Sequence, residues 1–156
     1  MPIEISAGAV IFRKKNCIQK KTKKKNRKEK DKRPAIKYLL LKYNYKSQQW
    51  GFVKGNIERG ESLQETVSRE AEEEAGLKKL KFLPFKQSIH YFYRRDKKIV
   101  FKKVIYLLAE AKSKKVILSK EHTGYTWADY ETALKMLTFK EEKKVLRKAE
   151  AKIKKL

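Results

Sequence analysis

Residues Gly55–Leu77 read GNIERGESLQETVSREAEEEAGL, and the spacing within that stretch decides the reading of the whole chain. Ser62 followed three residues on by Glu65 makes a capping box, so a loop from Asn56 to Gly60 should end at Ser62 and a helix should begin at Leu63. Gly76 stops that helix. Leu63, Val67 and Ala71 recur at four-residue spacing as an apolar stripe, while Glu70, Glu73 and Glu74 fall at i, i+3 and i+4 on a neighbouring face. Like charges so placed repel by about a few tenths of a kcal/mol per pair on an exposed helix, and the arrangement invites a cation. Gly55 and Gly60 bracket the loop, where positive φ or close backbone approach is needed, and Arg69 is placed to hold a neighbouring glutamate.

An all-oxygen set of this kind suits a hard divalent ion. Magnesium takes one or two carboxylates, keeps several waters and binds substrate phosphate, so it is the first choice and manganese the second. A glutamate-rich helix face is more commonly just solvated, but the bracketing glycines favour a built site.

Read as a whole, the stretch resembles the signature of the Nudix hydrolases, in which a glycine loop and a glutamate-rich helix bind magnesium against a diphosphate. The resemblance implies that the backbone at Gly55 and the carboxylates of Glu70, Glu73 and Glu74 coordinate metal. It leaves two candidates for the base that activates water, Glu70 and, from a later loop, Glu121. Glu61 and Arg69 are expected to pin loop to helix, and Lys54, immediately before the loop, to contact a phosphate.

Around the signature, Ile3–Arg13 and Ile36–Tyr45 read as strands, Trp50–Lys54 as a short strand, and Leu80–Tyr93 with Ile99–Ala111 as a hairpin around Asp96-Lys97-Lys98. Asp129–Met136 and Glu141–Ile153 read as helices, the last with Leu146, Ala149, Ile153 and Leu156 as its apolar side. Mixed strands with few helices imply an α/β fold. The resemblance implies an α/β/α sandwich with a mixed β-sheet, one domain over 1–156. Between the first two strands, Arg13–Arg33 carries thirteen Lys or Arg against Glu29 and Asp31, a local excess of +11. The segment at about 14–33 is expected to be a disordered, basic insertion.

Composition narrows the setting. The longest purely apolar run, Val104–Ala109, is too short to span a bilayer, and no basic region precedes the apolar residues after Met1, so a cytoplasmic protein with no membrane contact is expected. Cys17 is the only cysteine, which excludes an internal disulfide and a zinc cluster of cysteines, and His90 and His122 read as ordinary hydrogen-bonding residues. The formal charge of +24 suits a polyanion, yet lysines are spread over every segment.

Beyond the signature, KKVIYLLAEAK, LSKEHTGYTW and ALKMLTFKEEKKVL resemble the asymmetrical diadenosine tetraphosphate hydrolases. That likeness implies hydrolysis of the dinucleotide to ATP and AMP, with Tyr91 and Tyr125 as the flat faces that hold adenine. No asparagine follows Asn56, which weighs against a base-reading enzyme of the type that removes oxidised guanine nucleotides. The alternative is an RNA 5′-pyrophosphohydrolase or decapping enzyme, which WGFVKGNIERGES also resembles. RNA is accordingly an open partner for the basic insertion. No obligate protein partner is expected.

Overall fold

The computed structural model describes residues 1–15, 34–44 and 47–156. The basic segment after Lys15, Cys17 within it, and Tyr45 lie outside the described residues.

Among the described residues, a seven-stranded mixed sheet organises the fold. Strand β1 (Ile3–Lys15) is its centre, because Ala7, Ala9 and Ile11 are buried on one face and Val10 and Phe12 on the other. A strand buried on both faces reads as a continuous apolar run, and AGAVIF is one. β2 (Ala35–Tyr43) pairs with it antiparallel. Trp50–Lys54, expected as one strand, divides into β3 (Trp50–Gly51) on β2 and β4 (Val53–Asn56) on β1, with Phe52 at the crossing. The helix α1 (Leu63–Ala75) follows, then β5 (Leu80–Arg95) and β6 (Lys98–Ala111), with β6 parallel to β1 and β5 at the sheet edge.

The hairpin is tighter than expected. Asp96 and Lys97 alone form its turn, both at positive φ (50° and 65°), as two-residue hairpin loops require. β7 (His122–Ala128) has no counterpart in the sequence reading: Gly124 interrupts its alternation, and pairing to β2 rather than local propensity makes it a strand. α2 (Tyr130–Met136) and α3 (Lys140–Lys154) complete the chain. Leu156 does not join the apolar side of α3; it lies past the helix end and is 71% exposed.

α1 covers one face of the sheet over Ala7, Leu39, Leu41 and Leu107, and α2 and α3 cover the other over Val10, Leu40, Tyr106 and Leu108. The expected α/β/α sandwich is therefore present. Its asymmetry matters, because α1 brings the glutamates to one end of β1 and β4 while the start of α3 walls the adjacent space beside β3. No helix among the described residues is long and apolar enough to cross a membrane.

Candidate active site

The helix of the signature starts where the capping box places it. Ser62 accepts a hydrogen bond from Glu65 N–H at 3.1 Å, the Glu65 carboxylate accepts one from Ser62 N–H at 3.3 Å, and Gly76 closes the helix at φ 68°. Such a cap contributes about 1 kcal/mol. Val67 and Ala71 are fully buried under the sheet, so the neighbouring face with Glu70, Glu73 and Glu74 is fixed over β4.

Arg69 is the clasp between loop and helix. Its Nε donates to Glu61 at 2.8 Å, one terminal nitrogen to Glu70 at 2.7 Å and Glu73 at 3.3 Å, and the other to the Asn56 carbonyl at 3.0 Å. Glu61 also accepts the backbone N–H of Glu58 at 2.8 Å, and these donors, Arg69 foremost, hold its carboxyl down at about 2. A depressed folded value stabilises the fold above the ordinary 4.5, and that contribution disappears as pH falls from about 4.5 toward 2. Glu61→Gln should therefore melt below the parent at pH 7, with the two melting temperatures converging near pH 2.5. Parallel curves across that range would show that Glu61 does not hold the loop electrostatically.

Gly55 answers the expectation of close approach. A Cβ added there would lie 2.0 Å from the Glu70 carboxyl carbon, so only glycine lets β4 pass beneath that side chain. Gly60 answers the other expectation, with φ at 85°.

Glu70, Glu73, Glu74, Glu121 and Gly55 line one cleft of about 470 Å³, with Lys54, Lys102 and Ser119 around it. The sequence reading of the late glutamate thus lands in the same space as the signature. Glu74 is the most buried of the set, at 6% exposure. Burial first, then the neighbouring Glu70 charge, pushes its carboxyl up to about 9. Glu70 is also raised, by burial before all else, with Arg69 pulling the other way. The Oε2 atom of Glu74 and the Nε2 atom of His122 are buried with no hydrogen-bond partner among the described residues and lie 3.8 Å apart. Burial lowers the proton affinity of His122, whose Nδ1 pairs with the Ser119 hydroxyl at 3.0 Å, so the imidazole is a neutral wall.

A second cavity of about 390 Å³ adjoins the cleft, with Tyr43, Trp50, Tyr91 and Phe139 among its walls. Lys54 and Lys102 line both spaces. Lys54 pairs with the buried Glu142 of α3 at 3.5 Å, and Glu142 also accepts the Phe52 N–H at 3.2 Å. The ammonium therefore stands at the junction, anchored from the aromatic side.

Tyr91 reaches this cavity and Tyr125 does not. In the β2–β7 register Tyr125 lies opposite Leu41, on the α1 face, whereas Trp50 and Tyr91 pack with the cluster under α2 and α3. Tyr125 is 43% exposed there, so the two tyrosines do not face one ring. Trp50 and Phe139 stand with Tyr91 instead. Phe139 is the N-cap residue of α3 and 43% exposed. Lys102 and Glu142 carried no local signal, since each is one charge among many in its segment.

A family model described as the NUDIX domain matches residues 4–149. The asymmetrical bis(5′-nucleosyl)-tetraphosphatase of Sus scrofa is 37% identical over 117 residues, covering 72% of this chain and 77% of the relative. The protein of that name from Caenorhabditis elegans is 32% identical over 117 residues, covering 74% and 84%. The crystal structure of a C. elegans Ap4A hydrolase binary complex superposes with a TM-score of 0.77 at 29% identity, over 98% of this chain and 99% of that one. With a domain match over nearly its whole length and relatives above 30% identity, the chain belongs to the Nudix hydrolases, and within them it is similar to the asymmetrical bis(5′-nucleosyl)-tetraphosphatases.

Proposed function

We propose that this Nudix hydrolase uses magnesium, or manganese in its place, to cleave diadenosine tetraphosphate asymmetrically with water, giving ATP and AMP. One observation carries the reading: an aromatic cavity sized for a base lies beside a carboxylate cleft, and the two share Lys54 and Lys102. A dinucleotide places a flat ring and a polyanionic chain in that order.

The residues present fit a divalent ion. Among the described residues no three acidic or histidine side chains converge as a closed cage. Magnesium does not require one, since it keeps several of its waters. Glu74 Oε2 is a buried oxygen with no hydrogen-bond partner among the described residues, and the burial and neighbouring Glu70 charge that raise its carboxyl to about 9 would be offset by a cation. Glu70, Glu73, Glu74 and the Gly55 backbone would hold the ion. The chemistry supplied there is neutralisation of phosphate charge and activation of a water.

The side chains do the remaining work. Arg69 keeps Glu70 and Glu73 turned toward the cleft, while Lys54 and Lys102 bring positive charge to the phosphate chain where it leaves the base cavity. Glu70 and Glu121 are the carboxylates able to take a proton from the attacking water, and both border the same space. Tyr91, Trp50 and Phe139 hold the adenine and so set the register of the chain over the glutamates.

A substrate panel tests this. Diadenosine tetraphosphate should be turned over faster than nucleoside triphosphates, nucleotide sugars or triphosphorylated RNA. Phe139→Ala and Tyr91→Ala should each raise its KM about five- to a hundredfold, as expected for one lost base stack. Parental kinetics in both variants would remove the base cavity from the account. Faster turnover of triphosphorylated RNA would transfer the reading to the RNA 5′-pyrophosphohydrolases.

A further inference from the structure

The α1 face of the sheet continues beyond the helix that covers it. On β1, Ala7 and Ile11 are buried beneath α1, whereas Ile3 and Ile5 on that same face are 67% and 46% exposed. Register extends this bare surface across two more strands. Ile3 stands beside Phe101 and Phe101 beside Phe92; Ile5 stands beside Lys103 and Lys103 beside His90; Ile99 stands beside Arg94. The rings form one array, with Phe92 and Phe101 centroids 5.3 Å apart at 61° and His90 and Phe101 5.6 Å apart at 34°. Phe92 is 59% exposed and Ile99 48%.

Bare apolar patches on soluble proteins mark a partner. The residues of these rows include no acid, and Arg94 and Lys103 flank the rings. On a chain of net charge +24, a second copy would set cations against cations. Aromatic rings on adjacent strands, edged by cations, suit instead a strand of unpaired bases, which stack on the rings while the phosphates meet the charges. His90 and Ser88, on the same side of β5, can both donate and accept toward a 2′-hydroxyl. The surface also borders the signature loop, because Ile57 N–H bonds to the Ile5 carbonyl at 3.1 Å.

We propose that this face of β1, β5 and β6 binds single-stranded RNA, by stacking on Phe101 and its neighbours and by phosphate contacts to Arg94 and Lys103, at a place outside the carboxylate cleft that shares only Phe92 with the aromatic cavity.

The test is fluorescence anisotropy of the full chain with a fluorescein-labelled uridine 12-mer, the thymidine 12-mer and a 12-base-pair RNA duplex. Phe101→Ala should weaken the uridine strand about five- to a hundredfold and leave the duplex unchanged, while Phe101→Trp retains binding. Arg94→Ser with Lys103→Ser should lower the slope of log affinity against log salt by about 1.4. Dinucleotide turnover should stay at the parental level in all three variants, since none of these residues lines either cavity. Phe92 is left intact because it also borders the aromatic cavity. The proposal is overturned if Phe101→Ala binds the uridine strand like the parent, if duplex binding falls equally, or if thymidine binds more tightly than uridine. It is equally overturned if sedimentation shows a parental dimer that Phe101→Ala disperses, which would make the occupant a second copy.

Discussion

Glu74→Gln is expected to lose about a thousandfold in turnover of diadenosine tetraphosphate while melting above the parent in the absence of metal. The loss follows from removing a buried oxygen that would hold the cation, whose contribution to transition-state charge is several kcal/mol, with each 1.36 kcal/mol worth tenfold. The gain follows from proton linkage. Burial and Glu70 raise the Glu74 carboxyl from 4.5 to about 9, so its favourable contribution belongs to low pH and is lost as pH rises toward 9. Glutamine has the same shape and no such penalty. Saturating magnesium should raise the parent's melting temperature by mass action and leave the variant's unmoved. Glu73→Gln should fall in the same direction, although its side chain is 58% exposed. Full turnover with unchanged magnesium dependence in Glu74→Gln would remove this carboxylate from the metal site.

Gly55→Ala should cost about a hundredfold in turnover through one methyl group. The new Cβ would stand 2.0 Å from both the carboxyl carbon and Oε1 of Glu70, far inside contact distance. Either the side chain swings out, breaking its 2.7 Å bond to Arg69, or β4 moves away from α1. Overpacking of this kind costs about 1–3 kcal/mol of stability, which the fold can absorb, but the ligand geometry cannot be kept. Gly60→Ala is the control. Nothing lies within 4 Å of a Cβ there, and φ of 85° makes the penalty one of backbone strain, so stability should drop while turnover in folded protein persists. Parental kcat and an intact magnesium-induced melting shift in Gly55→Ala would contradict the close-approach argument.

What the sequence disclosed was what local physics controls. Capping, glycine placement and helical spacing are short-range, so the signature helix, its start at Leu63 and its end at Gly76 could be read directly. β1 was legible because its part buried on both faces, Ala7 to Phe12, is a continuous apolar run. Features set by distant pairing were not. β7 exists because β2 offers it an edge, and its register decides that Tyr125 faces away from the aromatic cavity. Phe139 and Glu142 enter the site only because α3 folds back across β3, which no local pattern announces. The cleft itself was half-legible: Glu121 was singled out as a late carboxylate, but Lys102 became visible only when β6 laid it between the two spaces.

The central claim is that the carboxylate cleft and the aromatic cavity act as one metal-dependent site on a dinucleoside tetraphosphate. Its most direct test is chromatographic identification of the products of diadenosine tetraphosphate, using metal-stripped protein before and after addition of magnesium. Equimolar ATP and AMP, appearing only with magnesium, is the expected result. Two equivalents of ADP, or equal turnover in chelator, would contradict it.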